Sequence, residues 1–200
     1  MPKRLIASRR FTFHPLTTER WPDLETLFGK NGACGGCWCM VWRLPRKTFV
    51  AQKGDGNRIA LKMIVENDEP PGILAYADGQ PAGWCAVAPR EVYSALERSR
   101  ILAPVDDQPV WSISCFFIAK EHRKQGLSVA MLRAAVDFVR ELGGRLVEGY
   151  PVEPKTKSMP AAFAWTGLAS AFRKAGFEEV ARRSATRPIM RITTGKKRSK

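Results

Sequence analysis

Long apolar runs are missing from this chain of 200 residues. A run such as Cys115–Ala119 falls far short of the roughly 20 residues that a bilayer-crossing helix needs, so no transmembrane helix is expected. The first residues, Met1–Ile6, carry charge but neither an apolar h-region nor a small-residue cleavage site, and a cytoplasmic protein is expected. Acidic residues are absent from 1–10 and from 181–200, although 33 Lys and Arg against 19 Asp and Glu give a formal net charge of +14. The basic excess therefore sits on the ends, and the body from 11 to 180 is close to balance. That distribution argues against a nucleic-acid-reading body, and only weak, salt-sensitive, non-specific adhesion to polyanions is expected. A basic nucleic-acid-binding protein that uses these ends is the rival reading.

Histidine is scarce, with two residues, and the five cysteines are an odd number without a secretory signal, so a disulfide framework is not expected. Three cysteines fall together in Cys34-Gly35-Gly36-Cys37-Trp38-Cys39. Cys-x-x-Cys can bring two sulfurs onto one ion, but a closed zinc site needs four ligands, and Cys85, Cys115, His14 and His122 are scattered singly. No metal is expected. Two readings of the segment stand: a thiol-metal protein, or an apolar pocket lined by small and sulfur-bearing residues beside Trp38, Met40 and Trp42.

A content of 44% hydrophobic and 10% aromatic residues is enough to fill a core. Residues 11–16 alternate as a first strand, and Thr17 or Thr18 can cap a helix carrying Leu24, Leu27 and Phe28 to a stop at Gly29. Asn57 opens a helix through Leu61, Ile64 and Val65. The segments 73–77 and 82–87 flank Asp78-Gly79 as a hairpin, with Gln80-Pro81 lengthening the loop. Residues 91–108 mix a helical turn with a loop, and 110–118 is β-rich. From Ser128 to Leu142, Val129, Leu132, Val136 and Val139 mark an amphipathic helix ended by Gly143-Gly144. A strand over 145–150 follows, and strand, helix, strand at this spacing predicts a right-handed crossover between parallel neighbours. Thr166 then caps a short helix from Gly167 to Ala175, and 177–183 and 188–192 close as strands. With no internal repeat and no linker, residues 11–192 read as one α+β domain with a mixed sheet of about six to seven strands flanked by helices, between basic ends at 1–10 and 193–200.

The chemistry concentrates where the strand ending Phe116-Phe117-Ile118 runs through a basic turn into a helix. The first turn of a helix has amides without intrahelical partners and about half a positive charge from the macrodipole. Gly126 lets a phosphate approach the backbone, and Arg123 and Lys124 add charge, so a diphosphate is a natural guest. The spacing is neither that of a Walker loop nor that of a dinucleotide fold. Arg123-Lys124-Gln125-Gly126-Leu127-Ser128 resembles the Arg/Gln-x-x-Gly-x-Gly/Ala acetyl-CoA signature of the GCN5-related N-acetyltransferase (GNAT) superfamily, with Ser128 at the usual Gly/Ala position. Arg173-Lys174-Ala175-Gly176-Phe177 is similar to that family's Lys-x-Gly-Phe segment, and the element order agrees over roughly 11–192.

The resemblance implies an N-acetyltransferase with acetyl-CoA as acyl donor and an amine-bearing acceptor as partner. It implies that strands 110–118 and 145–150 splay after a bulge, with pantetheine against the backbone of Cys115, Phe116, Phe117 and Ile118. The pyrophosphate would rest on the amides of Arg123, Lys124, Gln125, Gly126, Leu127 and Ser128. Transfer would be direct, a neutral amine attacking the thioester while a strand amide stabilises the oxyanion. Phe172 stands where many members carry a thiolate-protonating tyrosine, which leaves Tyr150, Ser170 and Thr166 as replacements and Glu148 as a base facing the cleft. The other reading of Glu148 is a solvated strand carboxylate, and of Tyr150 a packed core ring. Trp38, Trp42 and Trp84, with Met40, form either an acceptor wall or core. Asp106 and Asp107 attract a cationic acceptor or mark a surface turn. The acceptor's identity and the oligomeric state, a homodimer included, stay open.

Overall fold

In the computed structural model, which describes residues 11–154 and 163–195, seven strands form one mixed sheet in the order β1-β2-β3-β4-β5-β7-β6. The strands are β1 (Phe11–Pro15), β2 (Gly72–Ala77), β3 (Gln80–Pro89), β4 (Trp111–Ile118), β5 (Leu146–Gly149), β6 (Glu178–Arg182) and β7 (Pro188–Thr193). The helices are α1 (Trp21–Phe28), α2 (Arg46–Ala51), α3 (Asp55–Glu66), α4 (Ser94–Glu97), α5 (Leu127–Glu141) and α6 (Ala169–Ala175). The expected ends at 1–10, and 196–200 of the carboxy-terminal one, lie outside the described residues.

Local chemistry sets most of these boundaries. Asp78 and Gly79 both take positive φ, 51° and 80°, so the β2–β3 connection is a two-residue turn. Gln80 and Pro81 belong to the strand rather than to a longer loop, and the extra residue is absorbed where the pairing jumps from Ala75–Gly83 to Tyr76–Pro81. Thr166 does not cap α6, whose N-cap is Leu168; its hydroxyl instead accepts from Arg187 at 2.7 Å. On α5 the buried stripe is Leu127, Met131, Leu132, Ala135, Phe138 and Val139, with Val129 and Val136 at its margin. The stripe is thus rotated from the valines toward the bulkier Met131 and Phe138.

The crossover from β4 through α5 to β5 makes the expected parallel pair, but only over Trp111–Ile113 against Val147–Gly149. Beyond that point the two strands part. On the β3 side, Ala86 pairs with Cys115 and Val87 with Ile113, leaving Ser114 as an extra residue in β4. This bulge turns the strand where β5 leaves it, and the free edge of β4 beyond it faces a cleft. At Gly149 a side chain would collide with the Phe172 ring, so the glycine lets α6 wedge an aromatic into the fork.

The sheet separates two apolar layers. On one side, α5 and α6 cover Ile73, Ala75, Val87, Ile113 and Val147. On the other, α1, α3 and residues 38–40 pack over Leu74, Trp84, Ala86 and Cys115, while Tyr93, Leu96 and Leu102 cover Ala88, Tyr150 and Ile189. Among the described residues no helix is long and apolar enough to cross a membrane.

Candidate active site

A cavity of about 1000 Å³ runs from the β4–α5 turn, along Cys115–Ile118, to the cysteine segment and α2. At one end the chain leaves Ile118, passes through a single 3-10 turn at Lys120–His122, and enters α5 at Leu127. Lys124 and Gly126 both hold left-handed φ, 60° and 82°, and Gly126 is the helix N-cap. These two reversals flank Gln125 and turn the chain from the end of β4 into the helix. The first helical bonds come from Val129 and Ala130 to the Gly126 carbonyl, and no backbone carbonyl of the described residues accepts from Lys124, Gly126, Leu127 or Ser128. Space where a Cβ would stand on Gly126 is open. Arg123 Nε donates to the Ile118 carbonyl at 2.9 Å, and Gln125 Nε2 to the Glu121 carbonyl at 2.6 Å, which hold the turn against the strand end. Arg123, Lys124, Gly126, Leu127 and Ser128 all line the cavity.

Along its middle the cavity follows the free edge of β4. The Phe116 amide donates to the Trp165 carbonyl at 2.6 Å, so residues 163–167 lie across this edge. Phe172 is fully buried and packs edge-on against Phe116 and Phe177, with centroids 6.1 and 4.9 Å away.

Glu148 and Tyr150 do not line this cavity. Both are 1% exposed. Glu148 accepts from Arg191 Nε and Nη2 at 2.9 and 2.6 Å, and Tyr150 donates to its other oxygen at 3.1 Å. The Tyr150 hydroxyl also accepts from Arg90 at 2.6 Å and lies 2.8 Å from the Ser112 hydroxyl. Burial, with the Glu148 charge second, pushes the Tyr150 phenol well above its usual range. Glu148, Arg90 and Arg191 open instead on a separate pocket of about 260 Å³ at the start of β4, beside Asp106 and Asp107. Asp106 is tied to Arg191 at 2.7 and 3.0 Å, whose guanidinium holds its carboxyl down at about 2. The expectation of a base at Glu148 and an acid at Tyr150 reaching the cleft is therefore corrected: a buried ion network holds both.

By sequence, residues 38–159 match the model of the acetyltransferase (GNAT) family. The chain belongs to the GNAT acetyltransferase family. Compared with curated proteins, its sequence has no match. The fold is similar to that of a GNAT acetyltransferase from Listeria monocytogenes 4b F2365, with 11% identity, a TM-score of 0.56, and 92% of this chain covered against 94% of that one. It is similar to a GNAT acetyltransferase from Streptococcus agalactiae 2603, with 16% identity, a TM-score of 0.53 and coverage of 93% and 96%. The PaiA N-acetyltransferase of Thermoplasma acidophilum, solved in complex with coenzyme A, gives 10% identity, a TM-score of 0.51 and coverage of 92% and 99%.

In this GNAT fold, the end of the cavity away from the β4–α5 turn is built differently from the expected tryptophan wall. Trp38 and Trp84 are 6% and 0% exposed and belong to the core: Trp38 stacks on Trp21, and Trp84 Nε1 donates to Cys39 at 3.2 Å. Neither they nor Trp42 line the cavity. Trp42 stands behind it, its ring tilted by 31° against that of Trp165 with centroids 5.9 Å apart. The lining comes from Cys34, Cys37, Cys39, Val41, Phe49 and Trp165, of which the sequence signalled only the cysteines, for their size and softness. Cys39 and Cys115 are in contact at 3.1 Å. Hydrogen bonding to Cys39 and then burial push the Cys37 thiol up, and contact with Cys115 first does the same to Cys39, so both are protonated thiols at neutral pH. Among the described residues no group of three or more His, Cys, Asp or Glu could hold a metal ion.

Proposed function

We propose that the chain is an acetyl-CoA-dependent N-acyltransferase that moves an acetyl group to an amine by direct attack on the thioester. The observation that carries this reading is the continuity of one cavity from unpartnered amides at the start of α5, along the free edge of β4, to a neutral chamber. Acetyl-CoA supplies the acyl group as an activated thioester. The residues of the turn fit its pyrophosphate: the amides of Lys124, Gly126, Leu127 and Ser128 have no backbone acceptor among the described residues, Gly126 has no side chain in the way, and Arg123 and Lys124 bring charge.

The chain's own work is binding, orientation and exclusion of water. Phe116 N–H is the strand donor at the fork; it donates to the Trp165 carbonyl and would have to exchange that partner to meet acetyl-CoA. Once released from that carbonyl, this backbone donor would stabilise negative charge growing on the thioester oxygen. No carboxylate of the described residues lines the cavity, and its imidazole, His122, stands at the α5 end beside Arg123; water takes the proton from the ammonium of an incoming amine, and holding the free amine near the thioester supplies the rate.

Acetyl-CoA at millimolar concentration raises the melting temperature of the protein, and Gly126→Glu abolishes the rise by putting bulk and negative charge into the phosphate cradle. An unchanged melting temperature for the unmodified protein overturns the reading.

A further inference from the structure

The two ends of the large cavity differ in charge. Arg123 and Lys124 stand at the α5 end. The far end is walled by Cys37, Cys39, Val41, Phe49, Cys115 and Trp165, all neutral side chains. Among the described residues that line the cavity, none is Asp or Glu. Asp106 and Glu148 line the other pocket, where both are occupied by Arg191.

An acceptor amine enters as an ammonium and becomes neutral before it attacks, so the reacting nitrogen needs no permanent counter-charge. A second cationic group on the acceptor has no such escape. It would sit among thiols, a valine and aromatic rings with no anion to pair with, and burying a charge without a counter-ion is costly. A carboxylate on the acceptor meets the same walls, since the two cations of the turn face the phosphates in the reading above. An apolar body gains there by leaving water. We propose that this end of the cavity selects a primary monoamine with an apolar or aromatic body and no further charge. The proposal rests on the acetyl-CoA reading and names its acceptor class.

The test measures thiol release by the full-length protein with saturating acetyl-CoA and a panel of amines: 2-phenylethylamine, hexylamine, putrescine, spermidine and glutamate. The kcat/KM for 2-phenylethylamine and hexylamine is expected to exceed that for putrescine, spermidine and glutamate by about tenfold or more, as an uncompensated buried charge dictates. Val41→Glu, which adds a carboxylate to the chamber, shifts the preference toward putrescine, whereas the neutral Val41→Gln does not. Equal or better use of the diamine by the unmodified protein overturns the proposal even where the Val41 variants fail to fold. A melting shift with acetyl-CoA but no turnover of either apolar amine also overturns it, and leaves the acetyl-CoA reading standing. The absence of any melting shift removes that reading itself.

Discussion

The Tyr150 hydroxyl meets Arg90, Ser112 and Glu148 at once, in a place that water does not reach. Tyr150→Phe would leave three buried polar groups each short of a partner, and the expected loss is about 1–3 kcal/mol of stability, the usual cost of an orphaned buried group. Urea denaturation measures it. Turnover and the KM for acetyl-CoA stay near their original values, because the hydroxyl does not open on the cavity; a large fall in kcat with unchanged stability would return Tyr150 to the chemistry. Phe172 poses the reverse case. The end of its ring packs against Gly149, where even a Cβ would collide with it, so a hydroxyl added to the ring has little room. Phe172→Tyr is therefore expected to lower the melting temperature without raising kcat.

Between elements, the acceptor end depends on one side chain of α3. Asn57 is fully buried, and its Nδ2 donates to the Gly36 carbonyl at 3.1 Å and the Phe49 carbonyl at 3.4 Å, which joins the cysteine turn to α2. Asn57→Leu keeps the volume and removes both bonds. The KM for the amine is expected to rise several-fold while that for acetyl-CoA holds, since the phosphate turn lies at the opposite end of the cavity; steady-state kinetics with each substrate varied in turn separates the two. None of this was visible in the sequence, where Asn57 read only as a helix start. The succession of strands along the chain, the parallel crossover and the turn at 123–128 were legible because each has a local signature: alternation, a three- and four-residue stripe, or a glycine that must take positive φ. The cysteine turn has none. Ala33, Trp38 and Cys39 hold left-handed φ without being glycine, at 67°, 42° and 55°, and tertiary packing imposes this. The direction in which Glu148 and Tyr150 point was equally hidden, because it depends on bonds to arginines 43 and 60 residues away in the chain.

Across the whole molecule, the excess of basic side chains makes each ionised carboxylate a neutralising group. Arg191 holds the Asp106 carboxyl at about 2, while Arg173 and Arg182 hold Glu153 and Glu179 below their ordinary values. A carboxyl whose value is lower in the folded state contributes stability that is complete above the unfolded value, about 4, and is lost as pH falls through the folded one. Protonation in that window also raises a net charge that already stands at +14, which adds repulsion in the same direction. Stability is therefore expected to hold from neutral pH to about 5 and to fall steeply between about 4 and 2. Asp106→Asn removes one of the groups responsible. Its stability at neutral pH should be lower than that of the unmodified protein, and its decline between about 4 and 2 shallower, so that the two curves converge at the acid end. Urea midpoints measured across this range test the pair: parallel curves would mean that the contact with Arg191 contributes nothing to the pH dependence of folding.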